Sequence, residues 1–210
     1  MADYDPDEER AWSEYDWERF LQQQDKRTEK YMDLLERYLD HPQRDQIIAA
    51  EMGWTHLTHS EEEWLEEAEL TESDEEAVAA DEETFQHNEL YQAAFALTVW
   101  IDKMFDRNEA LQNEPAAVKL ATHSALASAK LAAALSNDDG DEIGMTIAYL
   151  KRALKAITTA LEGAAQLREQ RLITPRQLNA VDERLFQVRD GIVTLMGQYR
   201  GEWLRRFGRL

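Results

Sequence analysis

Five histidines and no cysteine set the limits of side-chain chemistry in this chain. With no thiol there is no disulfide framework, no thiolate metal site and no cysteine nucleophile. The closest histidine pair is His56-Leu57-Thr58-His59, followed by Glu63. Residues three or four apart share a helix face, so His56, His59 and Glu63 could hold zinc if that stretch were helical. Ser60-Glu61-Glu62-Glu63, however, reads as a capping box, which leaves both imidazoles in a linker ahead of the helix. Two solvated histidines are the plainer reading. Glu83 and His87 lie one helical turn apart, the spacing of an ordinary surface ion pair. As metal ligands they would need help from elsewhere in the fold, and His123 is the available candidate. A helical di-iron site needs Glu-x-x-His on two helices, and that motif occurs nowhere in the chain. There is no Gly-x-Ser-x-Gly elbow, and the eight glycines are scattered singly, so neither a hydrolase nucleophile nor a phosphate-cradling loop is supported. The acidic run from Glu61 to Glu83 lacks the Asp-x-Asp-x-Asp-Gly order of a calcium loop. No cofactor and no catalytic residue is expected, and the chain is not read as an enzyme.

His123 stands in Ala121-Thr122-His123-Ser124-Ala125-Leu126-Ala127, on an alanine-rich stretch with helical spacing. This segment resembles the histidine phosphotransfer domains, which are four-helix bundles with one exposed histidine. The resemblance implies a phosphoryl-accepting role for His123. Leu126 and Ala127 occupy the positions where that family carries a lysine and a glycine, and the likeness extends no further. A histidine at the edge of the core is the structural alternative.

Net charge is −20, which argues against binding nucleic acid or anionic membranes. The charge is uneven: from Asp45 to Asp102 there are seventeen Asp or Glu and not one Lys or Arg. From Lys103 onward the chain is mildly basic, with sixteen bases against thirteen acids. An acidic run of this kind is usually a solvated, self-repelling linker; it could also dock on a basic surface such as Arg200, Arg205, Arg206 and Arg209. Aromatics gather near the start, at Trp12, Tyr15, Trp17 and Phe20. They are candidates for core packing, or for the anchors of a partner surface. No secretory leader or membrane-length apolar run is visible. A cytoplasmic location is expected.

The elements that position these residues are helices. Ile143, Ile147, Leu150, Leu154, Ile157, Leu161 and Ala164 alternate four and three apart, as do Leu178, Val181, Leu185, Val188, Ile192, Leu195 and Tyr199. Each set keeps a narrow apolar seam on one helix side. Between them, Thr174-Pro175-Arg176-Gln177 predicts a capping box with proline at the first helical position, and Ile173 with Leu178 a hydrophobic staple. The result is an antiparallel hairpin whose first helix is capped by Asp141. A central helix is predicted over 82–111 and an alanine-rich one over 115–136, anchored by Leu120, Leu126, Leu131 and Leu135. An N-terminal helix is predicted over 6–39, polar all round from Gln22 to Lys30, and a short helix over 42–52, stopped by Gly53.

These elements predict an all-α chain: a four-helix up-down-up-down bundle over 82–210, an N-terminal helical arm over 1–57 and an acidic linker over 58–81. The expected function is a non-catalytic interaction or assembly module, binding a protein partner or itself through Trp12, Tyr15, Trp17 and Phe20. The alternatives are a bundle that binds a metal or small molecule and, third, a phosphotransfer protein.

Overall fold

The computed structural model describes residues 11–39, 41–54, 85–106, 108–136 and 142–208, with Glu109 by its backbone alone. Among the described residues the chain is all helical, in seven helices with no strand: α1 (Glu14–Arg37), α2 (Arg44–Met52), α3 (Glu89–Asp106), α4 (Glu109–Gln112), α5 (Pro115–Leu135), α6 (Ile143–Glu169) and α7 (Pro175–Phe207). None of these helices is long and apolar enough to cross a membrane. Contacts divide the chain into two compact units, Met1–Tyr15 with Asp81–Leu210, and Asp16–Ala80. The boundary therefore falls inside α1.

In the larger unit α6 and α7 form the predicted hairpin. Thr174 Oγ1 accepts from the Gln177 backbone N–H, while Gln177 Oε1 accepts from the Thr174 N–H at 2.9 Å. Ile173 and Leu178 are buried beside this cap. The Asp141 cap lies outside the described residues; Glu142 occupies the N-cap position and its side chain makes no capping bond. The α7 seam is buried from Leu178 to Ile192 and continues through Met196 rather than Leu195. On α6 the buried set differs from the predicted seam: Leu154 and Leu161 are only half-buried, while Ala153, Ala156, Ala160 and Gly163 form a second and smaller-sided face that packs on α5. Two faces on one helix mean two neighbours. At Gly163 the backbones nearly touch: a Cβ there would lie 2.9 Å from the Ala116 carbonyl oxygen and 3.0 Å from the Leu120 nitrogen. Only small residues permit so close an approach.

Cross-helix pairs fix directions. Lys119 meets Glu162 and Lys130 lies over Tyr149, so α5 and α6 are antiparallel. Arg184 lies over Trp100 while Leu90 fills the space beside Gly191, so α3 and α7 are antiparallel too. α3 also packs on α5, where Thr98 Oγ1 and Ser128 Oγ are 3.3 Å apart. The core is filled by Leu97, Ile101, Leu120, Leu131, Leu150, Ile157, Leu185 and Ile192, all essentially inaccessible. Burial on this scale is the main source of the unit's stability.

Three boundaries differ from expectation, two of them through a capping side chain. Residues 11–13 are not helical and α1 begins at Glu14, within Ser13-Glu14-Tyr15-Asp16, a pattern favoured at helix starts. The helix predicted over 82–111 begins at Glu89, where Asn88 Oδ1 accepts from the Leu90 and Tyr91 N–H groups. It stops at Asp106, because Asn108 is extended and accepts from Ala110 to start α4. Asparagine satisfies the local backbone outside a helix and so competes with its continuation. Leu126, expected as an anchor, is exposed, as is Phe95 on α3.

In the smaller unit, α1 from Asp16 onward buries Leu21 and Leu34, while every residue from Gln22 to Lys30 is exposed. The predicted polar midsection is therefore present. α2 ends at Gly53, which adopts the left-handed conformation at φ +73°. Trp54 then meets Tyr31 in a tilted ring contact at 5.6 Å and lies beneath Arg27.

Candidate functional site

A cluster of charged side chains and exposed aromatic rings is built on α6 and α7, where the start of α1 reaches them. Arg168 neighbours Asp182, and the same antiparallel register brings Lys151 level with Arg200. Between these two cations sits Glu14. Arg200 Nε donates to its Oε2 at 2.9 Å and Arg200 Nη2 to its Oε1 at 3.0 Å, a two-pronged contact. Lys151 Nζ is 3.7 Å from Oε1, and the Glu14 side chain is only 11% exposed. Burial alone would raise the Glu14 pKa; Arg200, by hydrogen bond and charge, and then Lys151 outweigh it and hold the carboxyl below its ordinary value. Lys151 also lies 4.7 Å above the Tyr15 ring. Thus Tyr15 is held beside Glu14 while it stays accessible, at 68% exposed, and Trp12, two residues before Glu14, is 48% exposed.

The four predicted interface aromatics are divided between the two units. Trp12 and Tyr15 belong to the larger. Trp17 and Phe20 belong to the smaller, where their rings meet edge-on at 5.9 Å. Glu14 and Lys151 were not singled out from sequence. Glu14 and Arg200 are separated by 186 positions, and no local pattern marks such a pair. Near this corner the Trp203 and Phe207 rings meet tilted, with centroids 5.9 Å apart, and Trp203 Nε1 is buried without an acceptor.

The two candidate ligands among the described residues, His87 and His123, are not gathered. His56, His59, Glu63 and Glu83 lie outside the described residues. His87 is exposed in the turn before α3. His123 is half-buried on α5. The three antiparallel pairings α5–α6, α6–α7 and α7–α3 make α3 antiparallel to α5. From the Thr98–Ser128 contact His87 and His123 therefore lie in opposite directions, about 24 Å apart along the axis. Among the described residues no group of three or more His, Asp or Glu is placed to hold a metal. His123 does have one unusual feature: its Nδ1 is buried and unpartnered. Beside it Lys119 Nζ donates to Glu162 at 2.8 Å, and that hydrogen bond and charge, with a smaller contribution from His123, lower the Glu162 pKa.

No known protein family, curated protein or solved structure matches the chain.

Proposed function

We propose that this chain is a non-catalytic helical interaction or assembly module, with α3, α5, α6 and α7 arranged as an up-down-up-down four-helix bundle and α1 and α2 forming an N-terminal arm. Its partner is a protein, either another chain or a second copy, rather than nucleic acid or membrane. The observation that carries the reading is the corner at Glu14. A two-pronged ion pair anchors a segment that displays Trp12 and Tyr15 to solvent. Large rings held in place but left accessible are what protein interfaces use as anchors, because little side-chain freedom is lost on binding. The apolar interior supports the non-catalytic part: among the described residues the buried side chains that are not hydrophobic are Ser124, Ser128 and Thr146. The −20 charge supports the choice of partner class. The test compares the full chain with a Trp12→Ala/Tyr15→Ala variant by sedimentation and by partner capture. Loss of association with unchanged helicity is expected; a variant that associates like the parent removes this reading.

A second reading, a ligand at His123, rests on its unpartnered buried Nδ1. It predicts that zinc or acetyl phosphate leaves a stoichiometric adduct that is lost in His123→Ala; no adduct on the parent chain excludes it.

A further inference from the structure

The outward face of α7 carries apolar residues that stay accessible to solvent, although the Phe186 ring lies under Arg189 at 4.5 Å. Phe186 is 40% exposed, Val193 51% and Leu204 62%. With 3.6 residues per turn these three and Gly197 fall in one sector about 40° wide, roughly 115° round the helix from the buried seam. Gly197 has no atom within 4 Å of where a Cβ would stand, and neither has Gly201 one turn later. Neither glycine has a positive φ. Mid-helix glycine costs roughly 1 kcal/mol against alanine, and nothing inside the molecule requires it at either position.

The order along this face is symmetric. Phe186, Val193, Gly197 and Leu204 are spaced seven, four and seven apart. Reversing the helix superimposes the set on itself. That is the property of a surface that meets its own copy about a two-fold axis. We infer that α7 takes α7 of a second copy of this chain, antiparallel, with Phe186 against the partner's Leu204 and Val193 seated over the partner's Gly197. The inference rests on the interaction reading above and names its partner.

Charge favours the same surface. α7 holds six Arg and four Asp or Glu in a molecule of net charge −20, so it belongs, with α5 and α6, to the least acidic part of the chain. The stripe is about 27 Å long and about 10 Å wide, giving roughly 600 Å² over both copies. Arg200, on the flank of the stripe, continues it to the exposed ring of Tyr15. Even with Trp12 and Tyr15 added, the area stays near the low end for specific interfaces, about 1,200 Å². The dimer is therefore weak and reversible, and added salt strengthens it by screening the repulsion.

Absence of cysteine makes the test clean. Full-length Val193→Cys and Gly197→Cys chains are prepared and oxidised separately and mixed. The antiparallel pairing expects the mixture to form covalent dimer about tenfold faster than either variant alone. Sedimentation of the parent should show a concentration- and salt-dependent dimer, lost in Val193→Asp with helicity and melting unchanged. Val193→Cys cross-linking alone as fast as the mixture overturns the inference, as does a parent that stays monomeric into the millimolar range. If Trp12→Ala/Tyr15→Ala abolishes dimer while Val193→Asp leaves it intact, the α7 seam is wrong and the aromatic-corner reading stands.

Discussion

At the scale of single residues, two glycines in similar helices have opposite roles. Gly163 faces backbone: an added methyl meets Ala116 and Leu120, which cannot rotate away. Gly163→Ala should therefore destabilise by about 1–3 kcal/mol, the usual cost of overpacking, despite the better helix propensity of alanine. Gly201 faces open space, and Gly201→Ala should stabilise by about 0.5–1 kcal/mol. Chemical denaturation of the two variants checks both signs. Asp182 offers a pH-dependent case. Burial raises its pKa more than nearby Arg168 lowers it, so its ionised form is disfavoured in the folded chain. Asp182→Asn should thus be more stable than the parent at neutral pH. The advantage should vanish below about pH 4, where aspartate is protonated folded or unfolded. Melting curves across pH follow the difference.

At the scale of elements, the Thr174–Gln177 box carries a measurable share of α7's stability. Thr174→Ala should cost about 1 kcal/mol by leaving an N–H of the first turn unpaired, with urea unfolding as the measure. This hairpin was legible in the sequence because its cap, staple and seams are local patterns, each set within a few turns. Helix starts and breaks were less legible. Asn88 and Asn108 cap helices within a stretch whose apolar periodicity runs on through them, and periodicity alone cannot reveal a competing side-chain bond. The second face of α6 was hidden for another reason. Alanine and glycine carry little hydrophobic weight, yet Ala153, Ala156, Ala160 and Gly163 decide which helix lies closest. The candidate site was half visible: Trp12 and Tyr15 stand out by type, whereas Glu14 and Lys151 acquire their roles only when distant segments meet.

At the scale of the whole molecule, the Glu14–Arg200 ion pair ties the start of α1 to α7 across 186 positions of sequence. The depressed pKa of Glu14 means the stabilisation is fully present above about pH 4.3 and is lost as pH falls through the lower folded value. Glu14→Gln should lower the melting temperature at neutral pH by the equivalent of about 1 kcal/mol or less, since Arg200 is half exposed and solvent screens it. Parent and variant should converge in acid; a constant gap across the titration would show that the carboxylate charge is not the cause. α6 touches two neighbours on two faces, its small residues on α5 and its larger seam on α7. No amide in the middle of that rod can reach deuterated solvent unless both contacts part together. Residues near Ala153–Ala160 should accordingly be the last to exchange, at the rate of complete unfolding, and the polar stretch 22–30 of α1 among the first.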